Sequence, residues 1–443
     1  MELTRRDTLR LAGLLALLAG TPTLAACGEG PAPTGGLDLA AADVPRAEVD
    51  PALAAVGAAS VHAVGAALLT HAEEAGLTVD GRLGNTVVSP YSVAVALAMT
   101  LAGARGATAA EMEAVLGGDA AALGDGLNAL TLHVEGLAGP VTLPDGEEGE
   151  VLLAVANRLF GQQGVTWEQA FLEALATSYG AGLQLADFEA DPEAGRVAVN
   201  GWVADRTEDR IPELVPAGAI TAATRLVLVN AVYFKAPWAA AFQADATEDG
   251  VFTTGAGEEV TVPLMSSSSV ADGHGVSDGV EVVRLPYADG RLAMTVMLPA
   301  IGEAAALVER IAGGGLDELL DAAQSADRVK VVLPRWETRT PAMLGDALSA
   351  AGMPTAFTPA ADLSGMTTEV ALAIGAVVHE GWIEVTEAGT EAAAATAVGV
   401  EAMSAMAPPS VTFDRPFAYC IHDVAHGTPV FLGWVDDPSQ RPG

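Results

Sequence analysis

Apolar residues recur at helical spacing from 51 to 75, so an amphipathic helix is predicted there, ending near Gly76. NTVVSPYSVAVALAMTLAGARGAT follows at 85–108: a short β-branched run, Ser-Pro punctuation, then a helix with no polar face, which must be buried. The apolar, β-rich runs VLLAVANRLF (151–160) and RLVLVNAVYFK (225–235) read as central strands. Between 251 and 300 the turn signals TTGAGEE, SVADGHG and PYADGR separate hairpin-like strands, VKVVLPRWE (329–337) reads as another strand, and strand alternates with turn from Pro409 onward. Strands and helices interleave irregularly, with no repeat of 20 to 50 residues. The expected fold class is therefore α+β, and not a βαβ array.

One stretch resists assignment. EAGTEAAAATAVGVE (387–401) holds an alanine run that favours helix. Read with a period of two, however, Thr390, Ala392, Ala394, Thr396, Val398, Val400 and Ala402 form one uncharged face, with Glu391 and Glu401 opposite. Thr396, Val398 and Val400 are β-branched, and Gly399 weakens a helix by about 1 kcal/mol relative to Ala. The segment has the makings of a helix, a loop or a strand that covers a core.

With 443 residues, 51% of them hydrophobic and 18% charged, the chain can bury one large core or two to three smaller ones. A formal charge of -36, from 21 basic against 57 acidic residues, argues against nucleic acid as a partner. At the N-terminus, Arg5 and Arg6 precede an apolar run from Leu11 to Ala19, too short to cross a bilayer, and then Leu24-Ala25-Ala26-Cys27. This pattern is expected to be an export signal over 1–26. TRRDTLR resembles a twin-arginine motif, and the small residues before Cys27 resemble a bacterial lipobox, which implies a lipid on Cys27 and a membrane anchor. Residues 28–50 are rich in Gly, Pro and Ala and are expected to form a flexible tether, with the folded body at 51–443. The two cysteines form no disulfide framework.

Motifs for catalysis are weak. Gly275-Val276-Ser277-Asp278-Gly279 matches GxSxG, but a loop precedes it and the strand-like EVVRLPY follows, where a nucleophile elbow needs a strand and then a helix. His422 and His426 have the spacing of a helical metal pair but lie in a short, turn-broken segment, and HEGWIE at 379 has no second histidine. No metal or cofactor is expected, and GAGEE at 255 lacks the helix that a phosphate cradle requires.

Five segments resemble one family, the serpins: NTVVSPYS (85–92), LVLVNAVYFKAPW (226–238), EVVRLPYADGRLAMTVMLP (281–299), VVHEGWIEVTEAGTEAAAAT (377–396) and FDRPFAYCI (413–421). They occur in the family's order across roughly 55–437. The resemblance implies a large mixed β-sheet with additional sheets, a helical cluster and an exposed reactive-centre loop at about 387–409. It also implies a monomeric serine protease inhibitor with no turnover of its own, whose loop is cleaved by a target protease and then inserts into the sheet. Glu387, Gly389, Thr390, Ala392, Ala393, Ala394 and Ala395 match the hinge of inhibitory members, with Thr390 the first inward side chain. The uncharged face suits insertion, because an unpaired buried charge costs several kcal/mol.

The family's scissile bond falls at Met403-Ser404, with Ala402, Ala405 and Met406 as alternatives. A Met bait implies elastase-, chymotrypsin- or subtilisin-like targets. Ser89, Ser92, Asn230 and His379 match a buried polar cluster beneath the sheet, and Trp202 and Trp238 match tryptophans under it. Departures from the family pattern are Ala388 at a position often charged, Glu380-Gly381-Trp382 in place of Lys-Ala-apolar, and TEDRI at 207–211. A non-inhibitory serpin with a carrier, chaperone or surface role is the alternative reading, and a hydrolase built on Ser277 a third.

Overall fold

The computed structural model describes residues 37–144, 146–323, 329–390 and 409–442. Seven strands carry the large sheet: β1 (Asp38–Ala40), β2 (Glu148–Gln162), β3 (Leu183–Ala186), β4 (Leu226–Pro237), β5 (Trp336–Met343), β6 (Ala376–Val385) and β7 (Gly389–Thr390). Their order is β1-β3-β2-β4-β7-β6-β5, and Gly139–Thr142 adds a short strand beside the start of β2. The sheet is mixed, since β2 pairs with β3 and β4 with β6 in parallel, while β2–β4 and β5–β6 are antiparallel. A six-stranded antiparallel sheet runs from Gly273–Ser277 through Val280–Tyr287, Leu292–Leu298, Phe417–Asp423 and Pro429–Val435 to Thr86–Val88. A four-stranded sheet joins Ser410–Thr412, Lys330–Pro334, Glu259–Ser267 and Glu248–Thr253.

Four helices matter for the site: α1 (Ala54–Thr70), α2 (Pro90–Leu101), α3 (Ala120–Glu135) and α4 (Pro192–Arg206). Every residue of α2 is buried, as its lack of a polar face requires. Its start is set by sequence: Pro90 fills the first turn, where its missing N–H costs nothing, and the Ser89 hydroxyl accepts from the Ser92 N–H. The central strands β4 and β6 are buried on both faces. One face packs on α1, α2 and the six-stranded sheet, through residues such as Leu159, Leu228 and Val377. The other packs on α4, through Phe160, Val229, Val378 and Trp202.

The two expected central strands lie at the sheet's centre as β2 and β4. The expected strand at 329–337 is in fact two: Lys330–Pro334 belongs to the four-stranded sheet and Trp336–Met343 to the large one. Pro334, which offers no N–H, closes the first strand, and the chain changes sheets at Arg335. The tether also needs correction over its described part. Residues 37–50 are docked: β1 pairs antiparallel with β3, Arg46 Nε donates to Asn128 Oδ1 at 2.7 Å, and the Ala47 N–H donates to the Thr177 carbonyl at 2.8 Å. The physical reason is an edge: β3 would otherwise present unpaired backbone groups, and β1 pairs with them.

Gly381, a departure from the family pattern, has a steric explanation. It lies where β6 crosses the strand Thr86–Val88, and a Cβ there would stand 2.6 Å from the Val87 carbonyl oxygen. Gly381→Ala is expected to cost about 1–3 kcal/mol, through overpacking against backbone. Gly201→Ala, in the exposed interior of α4 where a Cβ meets nothing within 4 Å, is expected to gain about 0.5–1 kcal/mol. Urea unfolding midpoints of the two variants should move in opposite directions.

Candidate functional site

Pairing between β4 and β6 runs in parallel from Val227–Ala376 to Tyr233–Trp382 and then stops. Beyond that point the two strands part, and β7 lies between them. Gly389 is opposite Pro237, and Thr390 is opposite both Ala236 on β4 and Val385 on β6, antiparallel to each. The start of the hinge segment is thus already a strand of the sheet.

Three contacts seat it. The Thr390 side chain is fully buried, and its hydroxyl lies 2.6 Å from that of Tyr287. Tyr287 stacks on Trp238, with ring centroids 4.4 Å apart, and meets Phe234 edge-on at 5.0 Å. Burial keeps the Tyr287 phenol well above its ordinary pKa, so it stays protonated and able to hydrogen-bond. The Trp238 N–H donates to the Ala388 carbonyl and its indole N–H to the Thr386 carbonyl, each at 3.0 Å. Ala388 itself is buried, which explains an uncharged residue at this position. Gly389 has φ +152° and packs so closely that a Cβ would stand 2.2 Å from the Ala236 carbonyl oxygen. No other residue fits there.

Glu387 anchors the turn before β7. Its Oε1 accepts from the Thr247 hydroxyl at 2.6 Å and from Arg335 Nε at 2.8 Å, with Arg335 Nη2 closing the pair. Burial opposes its ionisation, but Arg335 and Thr247 outweigh that and hold the carboxyl below its ordinary pKa. Arg335, Thr247 and Tyr287 were not marked by sequence reasoning. Only Arg335 carried a signal, as a charge set between Pro334 and Trp336 in an otherwise apolar run.

The four predicted polar residues come together at the closed end of the same seam. Ser89, Ser92, Asn230 and His379 are all fully buried. Asn230 and His379 are register partners across β4 and β6, and His379 Nε2 accepts from the Ser89 N–H at 3.1 Å. The Ser92 hydroxyl donates to Asn157 Oδ1, with Asn230 Oδ1 3.5 Å away. Asn157, the register partner of Asn230 on β2, is a fifth member that the sequence reading missed. Asn230 Nδ2 and His379 Nδ1 make no protein hydrogen bond.

Trp238 lies beneath the seam as expected. Trp202 also packs against the sheet, from α4 on its other face, edge-on to Phe160 at 5.5 Å, with Arg158 and Arg206 over its ring. Glu380, also fully buried, faces that side and pairs with Arg339 on β5, while burial pushes its carboxyl up. Ala392, Ala393, Ala394, Ala395, Met403 and Ser404 lie outside the described residues, as does Cys27.

The rejected motifs stay rejected on geometry. Ser277 ends a strand, Asp278 and Gly279 turn a tight hairpin with φ of 49° and 81°, and the strand Val280–Tyr287 follows. The Ser277 hydroxyl accepts from Arg310 Nη2 at 2.8 Å, a guanidinium that cannot act as its base. His422 and His426 do not converge: His422 is buried with its Nε2 2.9 Å from the Thr295 hydroxyl, while His426 faces Asp423.

His379 gives a pH dependence. Complete burial lowers its pKa from 6.5 to about 4, and burial does the same to His422. Each native imidazole therefore resists protonation. Their stabilising contribution is whole above the unfolded value near 6.5 and is lost as pH falls from there toward 4, by on the order of 3 kcal/mol per group. Urea midpoints should fall between pH 7 and pH 5, and the fall should be shallower in His379→Gln. An identical slope in the variant would show that His379 is not buried neutral.

The comparisons agree with this architecture. A model of the family described as "Serpin (serine protease inhibitor)" matches residues 71–438. The leukocyte elastase inhibitor of Bos taurus is 35% identical over 375 residues, which cover 82% of this chain and 95% of that protein. Iris, from Ixodes ricinus, is 33% identical over 356 residues, covering 80% of this chain and 92% of its own length. Among solved structures, the thermophilic serpin tengpin in its native state superposes with a TM-score of 0.74 at 25% identity, covering 90% of this chain and 97% of that one. Serpin48 of Tenebrio molitor gives 0.72 at 27% identity, with 87% and 97% covered. The family match, the extent of these likenesses and the seam described above lead to one assignment: this chain belongs to the serpin family.

Proposed function

We propose that this serpin is a protease inhibitor of the suicide-substrate kind. A target serine protease attacks the carbonyl of Met403, forms an acyl-enzyme there and releases the amino group of Ser404. The freed loop then zips into the seam between β4 and β6, carrying the trapped enzyme with it. One observation carries this reading: Gly389–Thr390 already pairs with both β4 and β6 where they part. Insertion only extends a strand that has been started.

Further support comes from the uncharged face of Thr390, Ala392, Ala394, Thr396, Val398 and Val400, which can be buried without a compensating partner. Roughly a dozen residues would gain ladder hydrogen bonds at about 0.5–1.5 kcal/mol each, on the order of 10 kcal/mol in all. The name of the Bos taurus relative and the Met bait both favour an elastase-type target, with chymotrypsin- and subtilisin-like enzymes next. We also propose export through the segment 1–26 and a lipid on Cys27 that holds the protein at a membrane surface.

The test mixes the chain with an elastase-type protease and with subtilisin. A complex that survives denaturing electrophoresis, with a released fragment starting at Ser404, is the expected outcome. Ala394→Arg, on the same uncharged face but beyond the already seated Thr390, places a charge on the inserting face and should turn the inhibitor into a substrate, cleaved at the same bond with no stable complex. Covalent trapping retained by that variant would overturn the insertion reading. Oxidation of Met403 to its polar sulfoxide should slow inhibition.

A further inference from the structure

Away from the seam, three metal-ligating side chains converge. His133 lies in the last turn of α3, Asp423 ends the strand Phe417–Asp423, and His426 sits in the turn that leads to Pro429–Val435. His133 Nε2 is 3.0 Å from Asp423 Oδ1, and His426 Nδ1 is 3.1 Å from the same oxygen. All three donor atoms lie within 4.8 Å of one another. The imidazole rings stand edge to face, 84° apart, with centroids at 4.6 Å, so both nitrogens aim at the carboxylate.

We propose that His133, Asp423 and His426 form a binding site for one divalent first-row transition-metal ion, of which Zn²⁺ suits the donor set best. Donors held about 2.0–2.2 Å from a shared tetrahedral Zn²⁺ stand about 3.3–3.6 Å from one another, so the 3.0 and 3.1 Å separations to Asp423 Oδ1, with all three donors inside 4.8 Å, need only a small adjustment to take an ion. Hydrogen bonding alone accounts poorly for the cluster. Asp423 Oδ1 has two lone pairs, yet three nitrogens crowd it, the third being the His426 N–H at 2.9 Å. An ion between the rings and the carboxylate satisfies both imidazoles as neutral ligands.

The surroundings are those of a built site. Asp423 is fully buried, and its Oδ2 accepts from the Thr428 N–H at 3.1 Å, which fixes the carboxylate's orientation. The two histidine side chains are 31% and 25% exposed, leaving an entry path and a position for water as a fourth ligand. The negative end of the α3 dipole favours a cation beside His133. His62 on α1 holds the turn from behind, 3.0 Å from the Gly427 carbonyl and 3.2 Å from Asp317. The nearby Arg291 is engaged with Asp289 and the Gly136 carbonyl. An ion here would tie the end of α3 to the turn between two strands of the six-stranded sheet. Two imidazoles and one carboxylate are borderline donors, which suit Zn²⁺ and its first-row neighbours better than Mg²⁺ or Ca²⁺.

The full chain, stripped with a chelator, would be titrated with Zn²⁺ by calorimetry and with Co²⁺ by visible absorption. The expected result is one ion per chain with a micromolar or tighter Kd, together with cobalt ligand-field bands. His133→Ala and His426→Ala should each weaken Zn²⁺ by at least about 100-fold, more than the usual effect of an outer-shell change, and abolish the bands. His71→Ala should change neither. Both histidines of the site are partly exposed, so the variants should keep their fold, and His133→Gln provides a milder substitution if His133→Ala does not. Single-site binding that survives in the double variant would overturn the proposal. So would weak binding of many ions, unaltered by any substitution, as would no binding to the folded chain.

Discussion

The structure depends on an incomplete pairing. Two long strands, β4 and β6, share parallel hydrogen bonds over part of their length and then diverge, leaving unpaired backbone edges in the middle of the largest sheet. Backbone groups so placed are costly to leave without partners, and in most sheets the next strand along would meet them. Here Gly389 and Thr390 do so at the mouth of the gap, and the chain then leaves the described residues until it rejoins the four-stranded sheet at Ser410–Thr412. The rest of the seam reads as a response to that constraint. Tyr287 and Trp238 make the seat for Thr390, and the Glu387–Arg335 pair fixes the turn that delivers it.

The closed end is governed by different chemistry. Ser89, Ser92, Asn157, Asn230 and His379 bring polar atoms from α2 and from three strands to one buried place, where a purely apolar core would have been simpler. Directional bonds of this sort fix which strands lie together, and they break in discrete steps as strands slide.

Sequence legibility followed how local each signal is. The two-residue alternation of 387–401 was legible because small residues and an uncharged face are properties of one contiguous segment, and of the residues matched to a hinge there Glu387, Gly389 and Thr390 are among the described ones. Central strands β2 and β4 were visible for the same reason. The polar cluster could be named only through family resemblance, since nothing in the spacing of Ser89, Ser92, Asn230 and His379 brings them together. Asn157 was missed because its role comes from register with Asn230 across two strands. Tyr287 and Arg335 were missed because each acts through a partner about 100 and 52 positions away, respectively. The docking of residues 37–50 was hidden by composition: Gly, Pro and Ala suggest a linker, while the free edge of β3 that captures β1 is a tertiary fact.

The central claim is that the seam between β4 and β6, closed beyond β7, parts to admit more of the chain's own loop, and that this insertion releases energy. The most direct measurement compares heat denaturation of the intact protein with that of the same protein cut once within 391–408 and freed of protease. Insertion worth on the order of 10 kcal/mol predicts a Tm for the cut form higher by on the order of 10 °C. An unchanged or lowered Tm after cutting would contradict the account, because the loop would then have found no place in the sheet.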